Sequence, residues 1–361
     1  MVDFWLVLCY GAAMGKYYDG AKLLSMKDIN GKRPEIFMTT TNRSAGKTTF
    51  FNRWAVKRFL EHKEKFCLIF RFNYELTECA DKFFKDIQIL FFPGHYMEQK
   101  RHANGTYVEL FLDGKSCGYC LALNNADQLK RFSHLLSDTK RIIFDEFQSE
   151  TNRYCANEIT KLLSIHTSLA RGGGEQVRYL PVIMIGNAVS LINPYFLELG
   201  ISDRINTKTK YLKGDGFVLE QGFYQEVSQE QMESSFNRAF AGTKYVAYAS
   251  QNVYLLDNYA FIEKPTGVSR YICTVKVDGK MYSIRDFTHN GWYYVDTSYD
   301  ESFPLKYTAS PADHEQGFVM VNSMDVIFRM LKLNFERGMI RFKNQQAKSA
   351  LFKILRYSVD M

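Results

Sequence analysis

The chain has no apolar run long enough to cross a bilayer. The run nearest its start, Phe4–Tyr10, is far shorter than the ~20 residues a spanning helix needs. No basic segment precedes it, so it also lacks the charged start of a secretory signal. Met14 offers an alternative start, and residues 1–13 are expected to be dispensable. A disulfide framework is missing too. The cysteines number 7, an odd count without framework spacing, which points to a reducing compartment. Cys117-Gly-Tyr-Cys120 is a lone CxxC with no second ligand pair, so a zinc or redox centre is not expected there. Strong charge of either sign is absent as well. The net charge of +7 permits a polyanionic partner without requiring one.

What the chain does have is the make-up of an ordinary globular protein, 46% hydrophobic and 24% charged. At 361 residues it is long for one domain and suggests two or three. Aromatics reach 15%, mostly core filler, with the rest available as stacking platforms for bases. Strand and helix patterns alternate through the first half. Glu35–Thr40 reads as a strand, the loop TNRSAGKTT follows, and 48–61 turns helical with Phe51, Trp54, Ala55, Phe59 and Leu60 on one face. Phe66–Phe70 is a buried strand, followed by a helix over about 75–90. Three short β segments then meet at Asn104-Gly105 and Asp113-Gly114, which reads as an antiparallel insertion. Arg141–Phe144, a helix over about 157–170 stopped by Gly172-Gly173-Gly174, and the strand Tyr179–Ile185 complete an α/β pattern with a mostly parallel sheet.

The loop Thr41-Asn42-Arg43-Ser44-Ala45-Gly46-Lys47-Thr48 fits the phosphate-binding pattern GxxxxGK[ST] except at its first position, where Thr41 replaces Gly. Gly46 lets the backbone approach the phosphates, Lys47 reaches the β and γ oxygens, and Thr48 can hold Mg²⁺. Thr49 opens the helix whose amides face the anion. Asp145-Glu146 at the end of the RIIF strand supplies one acid to hold Mg²⁺ and one to polarise the attacking water. These residues predict ATP binding and hydrolysis. Asn187, after the next strand, either senses the γ-phosphate or caps a strand. Arg71 either touches the nucleotide or is solvated. Arg171, beside three glycines at a helix end, is placed either to complete a neighbouring subunit's site as an arginine finger or to sit favourably at a helix C-terminus. Lys130 and Arg131 are weaker candidates for the same task.

The loop, the RIIFDEF strand and above all VIMIGNAVSLINPYF (Val182–Phe196) resemble the DNA-packaging ATPase, or encapsidation protein, of small protein-primed podophages, a relative of the large terminase subunits of tailed phages. The likeness continues at Phe261–Lys264, Tyr293–Thr297 and Gly338–Gln345, and spans about residues 35–356. It implies a P-loop ATPase of the additional-strand, catalytic-glutamate type. It also implies that Lys47 and Thr48 bind phosphate and Mg²⁺, that Asp145 is the Walker B acid and Glu146 the catalytic glutamate, that Asn187 lies in the motif coupling hydrolysis to movement, and that Arg171 is the trans-acting finger. The implied machine is a ring, a pentamer, that drives double-stranded viral DNA through the portal of an empty capsid. A capsid-bound packaging RNA and the terminal protein on the genome ends are implied further partners. The implied location is the host cytoplasm, with transient attachment to the capsid and no place in the mature virion. A helicase-like or recombination ATPase, and a non-catalytic nucleotide-binding DNA anchor, are the alternatives.

The division expected is an ATPase domain over 1–197, a linker or hinge over 198–257, and a vestigial RNase H-like domain over 258–361. Residues 200–255 read as polar and irregular, with one helix over 228–241. Strands at Tyr271–Val277, Met281–Phe287 and Trp292–Asp296 precede helices over about 324–336 and 345–357. An active nuclease of this type needs convergent carboxylates around two metal ions. Asp278, Asp286, Asp296 and Asp300 are available, but Asp278 lies in a turn, and Thr274 and Lys276 occupy the first strand where a metal-binding Asp is expected. Nuclease activity is therefore not expected. The last stretch carries Arg329, Lys332, Arg337, Arg341, Lys343, Lys348, Lys353 and Arg356 against Asp325, Glu336 and Asp360, a net of +5. These cations are either a non-specific nucleic-acid grip or a solvated face.

Overall fold

The computed structural model describes residues 17–357 apart from 152, 172–175, 192, 203, 206–208, 244–245, 249–260, 288, 290 and 323, and apart from the side chains of 133, 345, 356 and 357. The dispensability expected of residues 1–13 concerns a segment outside these residues, as do the three glycines after Arg171. The chain forms two units. One combines Met1–Leu191 with Asn206–Leu256, and the other combines Ile192–Ile205 with Asp257–Met361. The division thus falls inside the Val182–Phe196 block.

The first unit is built on a sheet of nine strands: β1 (Ile36–Thr41), β2 (Lys65–Phe70), β3 (Met97–His102), β4 (Tyr107–Leu112), β5 (Lys115–Ala122), β6 (Thr139–Asp145), β7 (Val182–Asn187), β8 (Tyr211–Gly214) and β9 (Phe217–Gln221). Their order is β3-β4-β5-β2-β6-β7-β1-β9-β8. The run from β5 to β9 is parallel, with antiparallel pairs β3-β4, β4-β5 and β8-β9 at the two edges. β1, β2, β6 and β7 are buried along most of their length, with apolar stretches such as Ile36–Met38 and Ile142–Phe144, as strands covered on both faces require. The helices α1 (Lys47–His62), α2 (Cys79–Phe91) and α3 (Glu158–Ala170) follow the pattern read from the sequence. α1 buries Phe51, Ala55, Val56 and Phe59, while Trp54 and Leu60 pack at the margin of the same core. β7 lies between the loop strand β1 and the acid-bearing strand β6, which is the arrangement the additional-strand class requires.

Two expectations are corrected. The third segment of the expected antiparallel insertion, β5, does pair antiparallel with β4, but it is also a core strand paired in parallel with β2. It is buried from Cys117 to Ala122, and Gly118 leaves room for the Phe66 carbonyl to press against it. The stretch expected to be irregular also contributes structure. β9 extends the sheet beside β1, and its buried Phe217, Val218 and Leu219 supply the driving force. The single helix over 228–241 is two, Gln225–Glu233 and Ser235–Ala239, because the Ser234 hydroxyl caps the second by accepting from the Asn237 amide at 3.2 Å.

The second unit holds β10 (Arg270–Val277), β11 (Lys280–Phe287), β12 (Trp292–Asp296), β13 (Lys306–Thr308), β14 (Val319–Met320) and β15 (Ile340–Phe342), in the order β14-β13-β10-β11-β12-β15. An antiparallel β10-β11-β12 meander is flanked on the β10 side by β13 and β14 in parallel, the order of an RNase H-like sheet. The helices α4 (Val326–Glu336) and α5 (Gln345–Tyr357) contribute Phe328, Leu331, Leu351 and Ile354 to a core shared with Val275, Ile284 and Val295.

Candidate active site

The phosphate-binding loop leaves β1 at Thr41 and enters α1 at Lys47. Gly46 has φ of 92° and Ser44 of 60°, the left-handed turn that aims the first amides of α1 at one point. Thr41 occupies the place of the usual Gly while still within the strand, so its side chain meets no backbone conflict. That side chain has work to do at the loop. Lys47 is buried, and its ammonium donates to Thr41 Oγ1 at 2.6 Å, Asn42 O at 3.3 Å and Asn187 Oδ1 at 3.2 Å. All three ammonium hydrogens are thereby matched with acceptors. Burial pushes the Lys47 pKa down to about 8, against the opposing pull of Asp145.

β6 delivers Asp145 to the same place. Thr48 Oγ1 donates to Asp145 Oδ2 at 2.8 Å, bringing together a hydroxyl and a carboxylate, the hard oxygen donors that suit Mg²⁺. Desolvation raises the Asp145 pKa, and desolvation followed by the charges of Asp145 and Glu150 raises that of Glu146. Glu146 itself adopts φ of 55°, a strained conformation for a non-glycine residue. Its amide donates to Asp145 Oδ1 at 2.9 Å. A cavity of about 290 Å³ opens beside Thr48, Asp145 and Glu146.

Arg71 is buried rather than solvated, and it lines the same cavity as Thr48, Asp145 and Glu146. It is buried against Glu158, with Nε to Oε2 at 2.9 Å, and donates to the carbonyls of Glu146 at 3.1 Å and Phe147 at 2.9 Å. It thus grips the backbone that carries Glu146 and Phe147. Asn187 pairs with Thr41 in the β1-β7 register, and its side chain bridges Lys47 and Glu150. Arg171 ends α3, exposed. Arg131 is exposed on a turn, and Lys130 beside it pairs with Asp127 at 3.1 Å.

In the second unit the candidate carboxylates are already engaged. Asp278 accepts from Lys353 at 2.6 Å, Asp286 pairs with Arg270 at 3.1 Å and Asp296 with Lys343 at 3.1 Å. Asp300 caps its own turn at Ser302. Burial works to raise the Asp296 pKa, but the Ser298 amide and Lys343 outweigh it and hold the carboxyl below its usual range. Among the described residues no group of three His, Cys, Asp or Glu side chains could hold a metal.

The basic residues divide. Arg329, Lys332, Arg337 and Lys343 are exposed. Arg341 is buried, stacked on Trp292 at 3.6 Å and paired with Glu263 at 2.5 Å, so it belongs to the fold. Lys348 is buried too, and Lys353 also donates to the Leu197 carbonyl at 3.0 Å. The Arg356 side chain lies outside the described residues.

The model of the family described as podovirus DNA encapsidation protein (Gp16) matches residues 14–359. The chain belongs to that family. It is 26% identical over 344 residues to the DNA packaging protein of Bacillus phage PZA, covering 94% of this chain and 97% of the relative. The DNA packaging protein of Bacillus phage phi29 matches at the same 26% over 344 residues, with the same 94% and 97% covered. Among solved structures, the bacteriophage Phi-29 viral genome packaging motor assembly has a similar fold, with a TM-score of 0.65 at 24% identity over 95% of this chain and 99% of that one.

This encapsidation-family chain holds site residues that sequence reading missed. Glu150 accepts from Arg43 at 2.5 Å and from the buried Tyr248 hydroxyl at 2.8 Å. Asn42 exchanges hydrogen bonds with the Tyr224 backbone, at 3.2 and 3.0 Å. The segment read as a linker is therefore fastened to the nucleotide loop. No motif marks Glu150 or Tyr248. Only Asn42, inside the loop, carried a signal.

Proposed function

We propose that this chain is an ATP-driven motor that translocates double-stranded viral DNA into a preformed capsid. It acts as a ring, a pentamer, docked at the portal vertex in the host cytoplasm. The observation that carries this reading is the Thr48–Asp145 hydrogen bond beside Lys47, in a member of an encapsidation family. Thr48 and Asp145 would hold Mg²⁺, which supplies positive charge to the β and γ phosphate oxygens. Lys47 exchanges its bonds to Thr41, Asn42 and Asn187 for phosphate oxygens when ATP enters. Losing Lys47 frees Asn187 and, through it, Glu150 and the segment bearing Tyr248. That chain of bonds is a route from the nucleotide to movement. Glu146, held by Arg71 through its carbonyl, orients the attacking water.

Arg171, exposed at the end of α3, serves as the finger for a neighbour's site. Cation pairing of Asp278, Asp286 and Asp296 supports a second unit without nuclease chemistry, in which Arg329, Lys332, Arg337 and Lys343 face nucleic acid. The capsid RNA and the terminal protein are further partners on this reading. Mixed subunits test the ring. Arg171→Ala and Lys47→Ala should each lower phosphate release about 10³-fold. An equal mixture should recover a measurable fraction, because a Lys47→Ala subunit still lends its finger. Wild-type turnover by Arg171→Ala alone overturns the trans assignment.

A further inference from the structure

At the amino ends of β6 and β7, away from the acids, a cavity of about 460 Å³ is walled in part by α1. Four cations line it, Arg33, Arg58, Lys140 and Arg141, against the single carboxylate of Glu64, a net of +3. Glu64 is shared by two of them. It accepts from Arg58 Nε at 2.8 Å and Nη2 at 2.7 Å, and also from Arg141 Nη2. The guanidinium of Arg141 lies over Trp54 at 4.4 Å, and that of Arg33 over Tyr179 at 4.1 Å.

Arg141 is only 5% exposed, yet its Nη1 is buried without a hydrogen-bond partner. A buried charged donor left unpaired is costly, and folded proteins rarely retain one without a use. Here the donor belongs to a side chain lining a cavity with surplus positive charge. A guanidinium seated over an aromatic ring can still present N–H groups to phosphate oxygens, and a net of +3 suits an anion of more than one charge.

We propose that this cavity is a phosphate-binding site, and that the phosphates it takes are those of a nucleic-acid backbone. Choice of that source rests on the motor reading above. A protein that moves along DNA needs contacts indifferent to sequence, and backbone phosphates provide them. Arg141 and Asp145 sit on one strand, four residues or about 13 Å apart. The strand that carries the metal-holding acid therefore carries the phosphate grip at its other end.

The test uses the full chain and the variant Arg33→Glu/Lys140→Glu, whose altered side chains are exposed and distant from the hydrolytic centre. Basal phosphate release without DNA should stay at the wild-type rate. Affinity for a labelled duplex should fall at least about tenfold, and the slope of log affinity against log salt should drop by about two. Titration with inorganic pyrophosphate, with ADP saturating the Lys47 loop, separates the two phosphate sources. Pyrophosphate binding lost together with duplex affinity supports the proposal. Pyrophosphate binding lost with duplex affinity and slope unchanged assigns a small phosphate ligand and overturns the nucleic-acid source. No change in either overturns the site. Wild-type protein that binds no duplex at all removes the motor reading itself.

Discussion

Arg71 and Glu158 are buried together beneath the end of β6, and each needs the other to offset a charge taken out of water. Replacing Arg71 by Met should cost about 3–5 kcal/mol in denaturant unfolding, because the buried Glu158 carboxylate loses the cation that offsets its charge. The double variant Arg71→Met/Glu158→Leu should recover much of that stability. Phosphate release should stay low in both, since the Glu146 and Phe147 carbonyls lose their donor; recovery of turnover in the double variant would show that Arg71 only stabilises. Glu64 gives a pH-dependent counterpart. Burial works to raise its pKa, but Arg58 and Arg141 outweigh it and bring the carboxyl down to about 2 from a usual 4.5. Its contribution is therefore present above pH 4.5 and lost as pH falls from there to 2. Glu64→Gln should be less stable than wild type by about 1–3 kcal/mol at neutral pH, with the gap closing toward acid, as unfolding at several pH values would record. Lys47, Thr48, Asp145 and Glu146 could be picked from the sequence because each belongs to a short local pattern at a strand end. The grip of Arg71 on the Glu146 backbone and the place of Glu150 could not, because they depend on partners far away in the chain, Glu158 for one and Tyr248 for the other.

At the level of strands and helices, β1, β2, β6 and β7 were legible because burial on both faces leaves a short apolar run in each, Ile36–Met38 in β1 and Ile142–Phe144 in β6. β5 was assigned to a hairpin because the Asp113-Gly114 turn announces its local pairing with β4, whereas parallel pairing with β2 joins distant segments and leaves no local mark. Gly118 records that second pairing. A Cβ there would run into the Phe66 carbonyl, so Gly118→Ala should destabilise the protein by about 1–3 kcal/mol or more, measured by thermal unfolding. An unaltered midpoint would mean that β5 and β2 are less closely joined than their register indicates. β9 was hidden for a different reason. It is a short strand inside a polar stretch, and it is stabilised by its place beside β1 rather than by intrinsic preference.

The whole chain joins an ATPase-type sheet, a segment fastened to the nucleotide loop at Asn42 and, by way of Glu150, at Arg43, and a second unit whose RNase H-like sheet carries cation-paired acids. Family membership extends over residues 14–359, so the division into two units lies within one functional chain rather than at the edge of the match. Hydrolysis in the first unit has a purpose on this account only if it moves DNA. The most direct measurement is the amount of DNA protected from DNase by empty capsids, as a function of ATP, for wild type and Glu146→Gln. Protection should require hydrolysable ATP and vanish in Glu146→Gln while nucleotide binding persists. DNA protected equally well without ATP, or by Glu146→Gln, would contradict the account.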